Sequence, residues 1–298
     1  MKYWLSLIPV PEVDQLVPLA RRAEELGFHG VAVADHLVMP TRYESRYPYT
    51  EDGEIFWPID LPWPDPWVTL AAMASVTTEL RLATNIYLGA LRDPFTAAKA
   101  VATTAVLSGE RVVCGLAAGW IREEYELLGL DFSSRGRRLD ELIEVMRKLW
   151  SGREVSHRGE FFRFENALMA PAPREPVPVW VGGHSPGALR RAARSDGWFG
   201  LPMTREQLWP VVEELRRQRA EAGLDPETLE LCFCLSEPLR PDAVAELEER
   251  GVEHLSIVCP WQPSPWEDTR WDEPGADPGR LEVKTDALAR FAADVIGG

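Results

Sequence analysis

Residues 30–40, GVAVADHLVMP, start as a buried strand and end as something else. Val31 to Ala34 are apolar without alternation, the pattern of a strand covered on both faces, as in a parallel sheet. Asp35 and His36 then stand side by side at its end. Why a core strand should finish in a carboxylate and an imidazole depends on the kind of sheet it belongs to.

Short apolar runs alternate with helical patterns along the whole chain. "YWLSLIP" precedes this stretch as a first strand; Val13, Leu16, Val17, Ala20 and Leu26 then recur at helical spacing, and Gly27 marks a helix end. After it come "LRLATNIYL", "RVVCGLAAG", "VPVWVGG", "WFGLP", "LELCFCL" and "HLSIV", each followed by a helical segment. Asp65-Pro66, Asp93-Pro94 and Ser185-Pro186 each place a capping side chain before a proline suited to a first helical turn, and Thr204 with Gln207 has capping-box spacing. Leu139, Leu142, Ile143, Met146 and Leu149 form one apolar stripe. Eight strand-plus-helix units imply an α/β fold, a closed (β/α)8 TIM barrel, as a single domain over residues 1–298. Four segments are longer than ordinary connectors: about 38–64, 120–136, 153–176 and 260–280. Three follow strands, which puts them on the catalytic face; 153–176 precedes a strand and reads as a hairpin of open position.

Composition narrows the function. A net charge of −15 argues against nucleic acid or an anionic membrane as partner. The 45% hydrophobic content supports a large core, and no run approaches the roughly 18 apolar residues of a membrane span. The first residues reach proline and acid too early for a signal peptide, so a cytoplasmic protein is expected. Cys114, Cys232, Cys234 and Cys259 lie in apolar runs without a CxxC pair, which reads as reduced, buried thiols.

In such a barrel chemistry sits at the C-terminal strand ends. These offer one histidine–carboxylate pair, Asp35-His36, and no cluster of metal ligands, so no metal site is expected. "VGGHSPGALRRAAR" supplies two glycines, Gly182 and Gly183, that let backbone approach a ligand, then His184 and Ser185 before a helix. A phosphate would suit that turn, though an ordinary capped turn reads the same way. The tryptophan-rich loops, with Trp57, Trp63, Trp120 and Trp261, suggest an apolar or aromatic substrate pocket; scattered tryptophans also fill barrel seams. The segment 260–280 reads equally as a substrate lid or a surface flap.

Taken together, "GFHGVAVADHLVMP", "YPYTEDG", "LRLATNIYL", "RDPFTAAKAVATTAVLSGERVVCGLAAGW", "REEYELLG", "RGRRLDELIEVMRKLW" and "PVWVGGHSPGALRRAARSDGW" resemble the bacterial luciferase-like superfamily, in particular its branch using the deazaflavin coenzyme F420. They span most of residues 25–200 in order; the last hundred residues match in outline only. The resemblance implies a cofactor across the C-terminal mouth, with Asp35 contacting it and His36 facing the substrate. It also implies a non-prolyl cis peptide between Asn85 and Ile86 beside Thr84, backing the ring, and donors to the cofactor phosphate from the Gly182–Ser185 turn. Sugar-phosphate dehydrogenases of this branch carry a tryptophan shortly after the histidine and a glutamate after the fourth strand. Here Pro40 and Trp120 stand there, so that substrate class is disfavoured and a second acid/base group is either missing or supplied from elsewhere, with Glu123 or Glu124 as candidates. The expectation is an F420-dependent hydride-transfer enzyme acting on a small organic molecule, with Trp63, Trp120 and Trp261 at the substrate. The rivals are an FMN-dependent monooxygenase and a non-catalytic cofactor-binding barrel. A homodimer is expected by the same resemblance.

Overall fold

The computed structural model describes residues 1–50, 52–262, 271 and 273–297. Its strands in chain order are β1 (Lys2–Leu7), β2 (Gly30–Val33), β3 (Arg81–Thr84), β4 (Val112–Leu116), β5 (Val155–Arg158), β6 (Arg163–Ala167), β7 (Val179–Gly182), β8 (Gly197–Phe199), β9 (Glu230–Phe233) and β10 (His254–Val258). Eight of them, all parallel, close a barrel in the order β1-β10-β9-β8-β7-β4-β3-β2. In its register Trp4 lies opposite Gly30, Val33 opposite Thr84 and Lys2 opposite His254. This is the (β/α)8 architecture, and each of the eight apolar runs named above is one of its staves.

The flanking helices are α1 (Leu16–Glu25), α2 (Pro66–Ala74), α3 (Pro94–Ser108), α4 (Arg122–Leu127), α5 (Arg135–Trp150), α6 (Pro186–Ala192), α7 (Arg205–Glu221), α8 (Pro241–Glu249) and α9 (Leu281–Phe291). Asp65 accepts from the Trp67 and Val68 N–H groups, Asp93 from those of Phe95 and Thr96, and Ser185 from that of Ala188. Thr204 and Gln207 form a reciprocal capping box. Each such cap is worth about 0.5–2 kcal/mol and fixes where a strand-to-helix loop must end.

Two cores result. Trp4, Ala32, Ala83, Val113, Trp180, Phe199 and Cys232 fill the inside of the barrel, and a larger layer lies between strands and helices. All four cysteines are buried. The antiparallel hairpin β5–β6 docks on α5, where Glu141 accepts from the Phe161 and Phe162 N–H groups and meets His157 Nε2 at 3.0 Å. Among the described residues no helix is long and apolar enough to cross a membrane.

Candidate active site

The end of β2 splits the Asp35-His36 pair between two tasks. Asp35 Oδ1 receives the Arg92 guanidinium at 2.8 Å and Oδ2 receives the Leu88 N–H at 2.9 Å. Burial pushes this carboxyl up, against the pull of Arg92 and Leu88. Both oxygens are thus committed to the segment after β3, although Asp35 also lines the mouth cavity.

His36 is treated differently. Its ring is buried; Nδ1 lies 3.3 Å from Glu124 Oε2, and Nε2 has no hydrogen-bond partner among the described residues. A carboxylate beside Nδ1 holds the proton there and leaves the Nε2 lone pair available. The other Glu124 oxygen accepts from the Leu37 and Val38 N–H groups at 2.8 and 3.2 Å, so this buried carboxylate fixes the loop and the imidazole together.

Glu123, one residue earlier on α4, points to the outer part of the same loop. It accepts from the Glu44 and Ser45 N–H groups and from the Ser45 hydroxyl. Two consecutive glutamates in the first turn of α4 therefore pin residues 37–45 across the mouth. The rest of the loop carries Tyr47, Trp57 and Leu61, packed with Tyr49, Ile55, Trp63 and Trp120 into a separate aromatic cluster. Trp63 stands edge-on to His36 with ring centres 5.0 Å apart, and Trp57 and Trp120 lie at 6.3 and 6.4 Å. Among the described residues the indole N–H groups of Trp57 and Trp63 are buried without an acceptor.

Opposite this arch, the Asn85–Ile86 peptide is cis. Ile86 lies so close to β7 that a Cβ on Gly182 would come within 2.7 Å of its side chain, which is why that position has none. Gly183 follows at φ +109°, a backbone a side chain would resist. His184 Nε2 accepts the Leu201 N–H at 2.8 Å, placing its proton on Nδ1. Burial lowers its pKa to about 4, so the ring is neutral.

Arch and wall enclose a cavity of about 870 Å³, the scale of a site for a cofactor with its substrate. It reaches from Trp57, Trp63 and His36, past Asn85 and Ile86, to Gly182, Gly183, His184, Ser185 and the starts of α5 and α6. Among the described residues no group of histidine, cysteine and carboxylate side chains could hold a metal.

The structure brings together Asp35, His36, Asn85, Ile86, Gly182, Gly183, His184, Ser185, Trp63 and Trp120 in this one wall. It does not place three other candidates there. Thr84 is fully buried and its hydroxyl donates to the Gly115 carbonyl across the β3–β4 seam. Glu123 is outside the cavity, spent on the loop backbone. Trp261 is buried in the main core between strands and helices, because an indole after β10 finds apolar cover there. Glu124 touches the site through His36. Of the segment 260–280, read as a lid or a surface flap, residues 263–270 and 272 lie outside the described residues. The 120–136 segment contains α4 and a short 3-10 turn at Phe132–Ser134. Sequence reasoning missed Arg46, Arg135 and Arg191 in the cavity wall. Arg135 opens α5 and Arg191 lies in the last turn of α6, positions where a basic residue is ordinarily solvated.

The barrel mouth thus combines a cis-peptide wall, a double-glycine turn and a histidine with one nitrogen unpaired among the described residues. A family model described as luciferase-like monooxygenase matches residues 5–288, and the chain belongs to that family. An uncharacterised protein of Mycobacterium tuberculosis is 35% identical over 282 residues, 94% of each chain. An F420-dependent glucose-6-phosphate dehydrogenase of Amycolatopsis mediterranei is 30% identical over 209 residues, 67% of this chain and 58% of its own length. Among solved structures, a monooxygenase from Streptomyces bottropensis (20% identity, covering 100% and 99% of the two chains) has a TM-score of 0.74. The coenzyme F420-dependent tetrahydromethanopterin reductase of Methanopyrus kandleri (15% identity, 99% and 98%) has the same score, which marks a shared fold.

Proposed function

We propose that this protein is a coenzyme F420-dependent oxidoreductase that moves a hydride between the deazaflavin and a small apolar or aromatic molecule. The observation that carries the reading is His36: buried, tied by Nδ1 to Glu124, and with Nε2 unpaired in the wall of a cavity it shares with Ile86. The F420-dependent dehydrogenase among the relatives supports the choice of cofactor.

The residues present fit such a group. Ile86 offers a flat apolar backing that the bare Gly182 leaves room for, and the Gly183–Ser185 turn offers small residues and the His184 Nδ1–H to the phosphate end. When bound, the deazaflavin supplies a two-electron hydride couple at its carbon 5. The chain supplies the rest. His36 Nε2 takes or returns the proton that accompanies hydride transfer to a carbonyl or imine, and Glu124 stabilises the ring when it is charged. The tryptophan arch covers the substrate and keeps water from the reacting atoms. The resemblance to sugar-phosphate dehydrogenases, which carry a glutamate after the fourth strand, disfavours sugar phosphates, since this chain has Trp120 there, packed into the aromatic cluster.

The rival reading, an FMN-dependent monooxygenase, draws on the family's own description. Mass spectrometry and absorbance of the cofactor retained by purified protein, with titration of both candidates, separate them. Deazaflavin binding and hydride exchange are expected. Retained FMN with substrate-dependent oxygen uptake would establish the rival, and tight deazaflavin binding without exchange on any substrate would leave a binding barrel.

A further inference from the structure

The chain has 47 acidic and 32 basic residues, yet the cavity wall inverts that balance. Among the described residues it holds three arginines and one acid, Asp35, which Arg92 already neutralises. Two of the arginines stand together at one end: Arg135 opens α5, and Arg191, in the last turn of α6, reaches the Gly136 carbonyl beside it.

They are not equivalent. Arg191 is spoken for: Asp140 takes its Nε and Nη2, and the Gly136 carbonyl shares Nη2. Arg135 makes no ion pair among the described residues. Its guanidinium lies 3.8 Å over the Phe132 ring and donates to the Phe132 carbonyl at 3.0 Å. It is a cation held in place by a ring and a carbonyl, with no counter-charge. The gap beside it is kept low by Gly136, where a Cβ would sit 3.4 Å from Arg191 Nη2. Ser133 and Ser185 at this end are exposed, so it opens to solvent. In a chain of net charge −15, an immobilised and uncompensated arginine at the exit of a large cavity calls for an anionic occupant.

We infer that the anionic tail of the cofactor leaves the barrel across Arg135, and that this exit favours a deazaflavin carrying phosphate and glutamyl carboxylates over its tail-less riboside. The inference rests on the function proposed above and adds to it a selectivity for the tail. A ring with a long anionic tail serves both ends: its ring would lie at Ile86 while its charges reach the solvent side of the cavity.

The test is an equilibrium titration, followed by ligand fluorescence, with the deazaflavin riboside, with F420 bearing several glutamates, and with FMN. It uses wild type, Arg135→Gln and, as a control, Arg137→Gln, whose arginine pairs with Glu160 away from the cavity. Thermal melts verify that all three fold. The tailed form should bind wild type more tightly than the riboside, and added salt should shrink that advantage. Arg135→Gln should lower tailed affinity about threefold to fivefold, the scale of one partly exposed ion pair, with riboside affinity unchanged. Arg137→Gln should leave both unchanged. Equal binding of tailed and tail-less forms by wild type, or equal weakening of both in Arg135→Gln, overturns the inference while the proposed function stands. Binding of FMN alone overturns both.

Discussion

The two ends of this barrel each hold a histidine beside a glutamate, and they use it in opposite ways. At the closed end His254 Nδ1 accepts the Trp4 indole N–H at 3.0 Å, and Nε2 faces Glu230 at 3.6 Å. Glu230 in turn accepts from the Trp180 indole at 3.0 Å. Both ring nitrogens are engaged and the surrounding space is filled by tryptophan and phenylalanine. At the open end His36 has one nitrogen on Glu124 and the other unpaired, with a cavity beside it. The same residue pair is a plug where both nitrogens are satisfied, and under the proposed function a proton-transfer group where one is not. Pairing, rather than burial, separates the two, since both rings are buried.

Exchanging the two histidines in turn gives the largest expected contrast. His36→Ala should reduce turnover about a hundredfold to ten-thousandfold, the usual contribution of a proton-transfer group, while leaving cofactor affinity and melting temperature close to wild type. His254→Ala should do the reverse: it strands the Trp4 indole and costs about 1–3 kcal/mol of stability, with turnover of the folded enzyme nearly unchanged. Steady-state kinetics beside urea unfolding reads both. If His254→Ala loses turnover as deeply as His36→Ala, the contrast is broken.

Glu124→Gln sharpens the contrast at the open end. The amide oxygen can still accept from Leu37 and Val38, but an N–H now faces His36 Nδ1 and moves the imidazole proton to Nε2. Turnover should fall about tenfold to a hundredfold, with a changed pH profile and unchanged cofactor binding. A variant that lost cofactor affinity and kept its pH profile would show Glu124 to be only a loop anchor.

The smallest effect concerns pH. Burial holds both His29 and His184 down at about 4 in the folded chain. Unfolded histidines take up protons near 6.5, so below that the unfolded state binds more of them. Stability from this source is therefore complete above about pH 6.5 and is lost as the pH falls towards 4. The urea midpoint should drop over that window, and His184→Gln should make the drop shallower. A midpoint flat from pH 7 to 4.5 would contradict the neutral His184 assigned from its Leu201 contact.

The barrel was legible because its staves are buried on both faces and therefore read as unbroken apolar runs, and because Asp65, Asp93, Ser185 and Thr204 announce their helices by local chemistry. Asp35, His36 and the Asn85–Ile86 bond were legible as strand ends, through their resemblance to a family. What the sequence hides are contacts between distant loops. Nothing near Glu124 marks it as the partner of His36, 88 residues away, and its neighbour Glu123 looks the same while serving only the loop. Trp261 and Trp63 are alike as letters; only packing puts one in the core and the other at the mouth. Thr84 faces a neighbouring strand because its side of the strand is the seam side, a register fact that a four-residue strand does not encode alone. Arg135 gave no sign because a charge at a helix start is ordinarily solvated.

The most direct measurement is a crystal structure of the protein with oxidised F420. The deazaflavin ring should lie against Ile86 with carbon 5 turned to the space under His36 and the tryptophan arch. A ring bound elsewhere on the protein, or one that turns carbon 5 away from His36, would contradict the account.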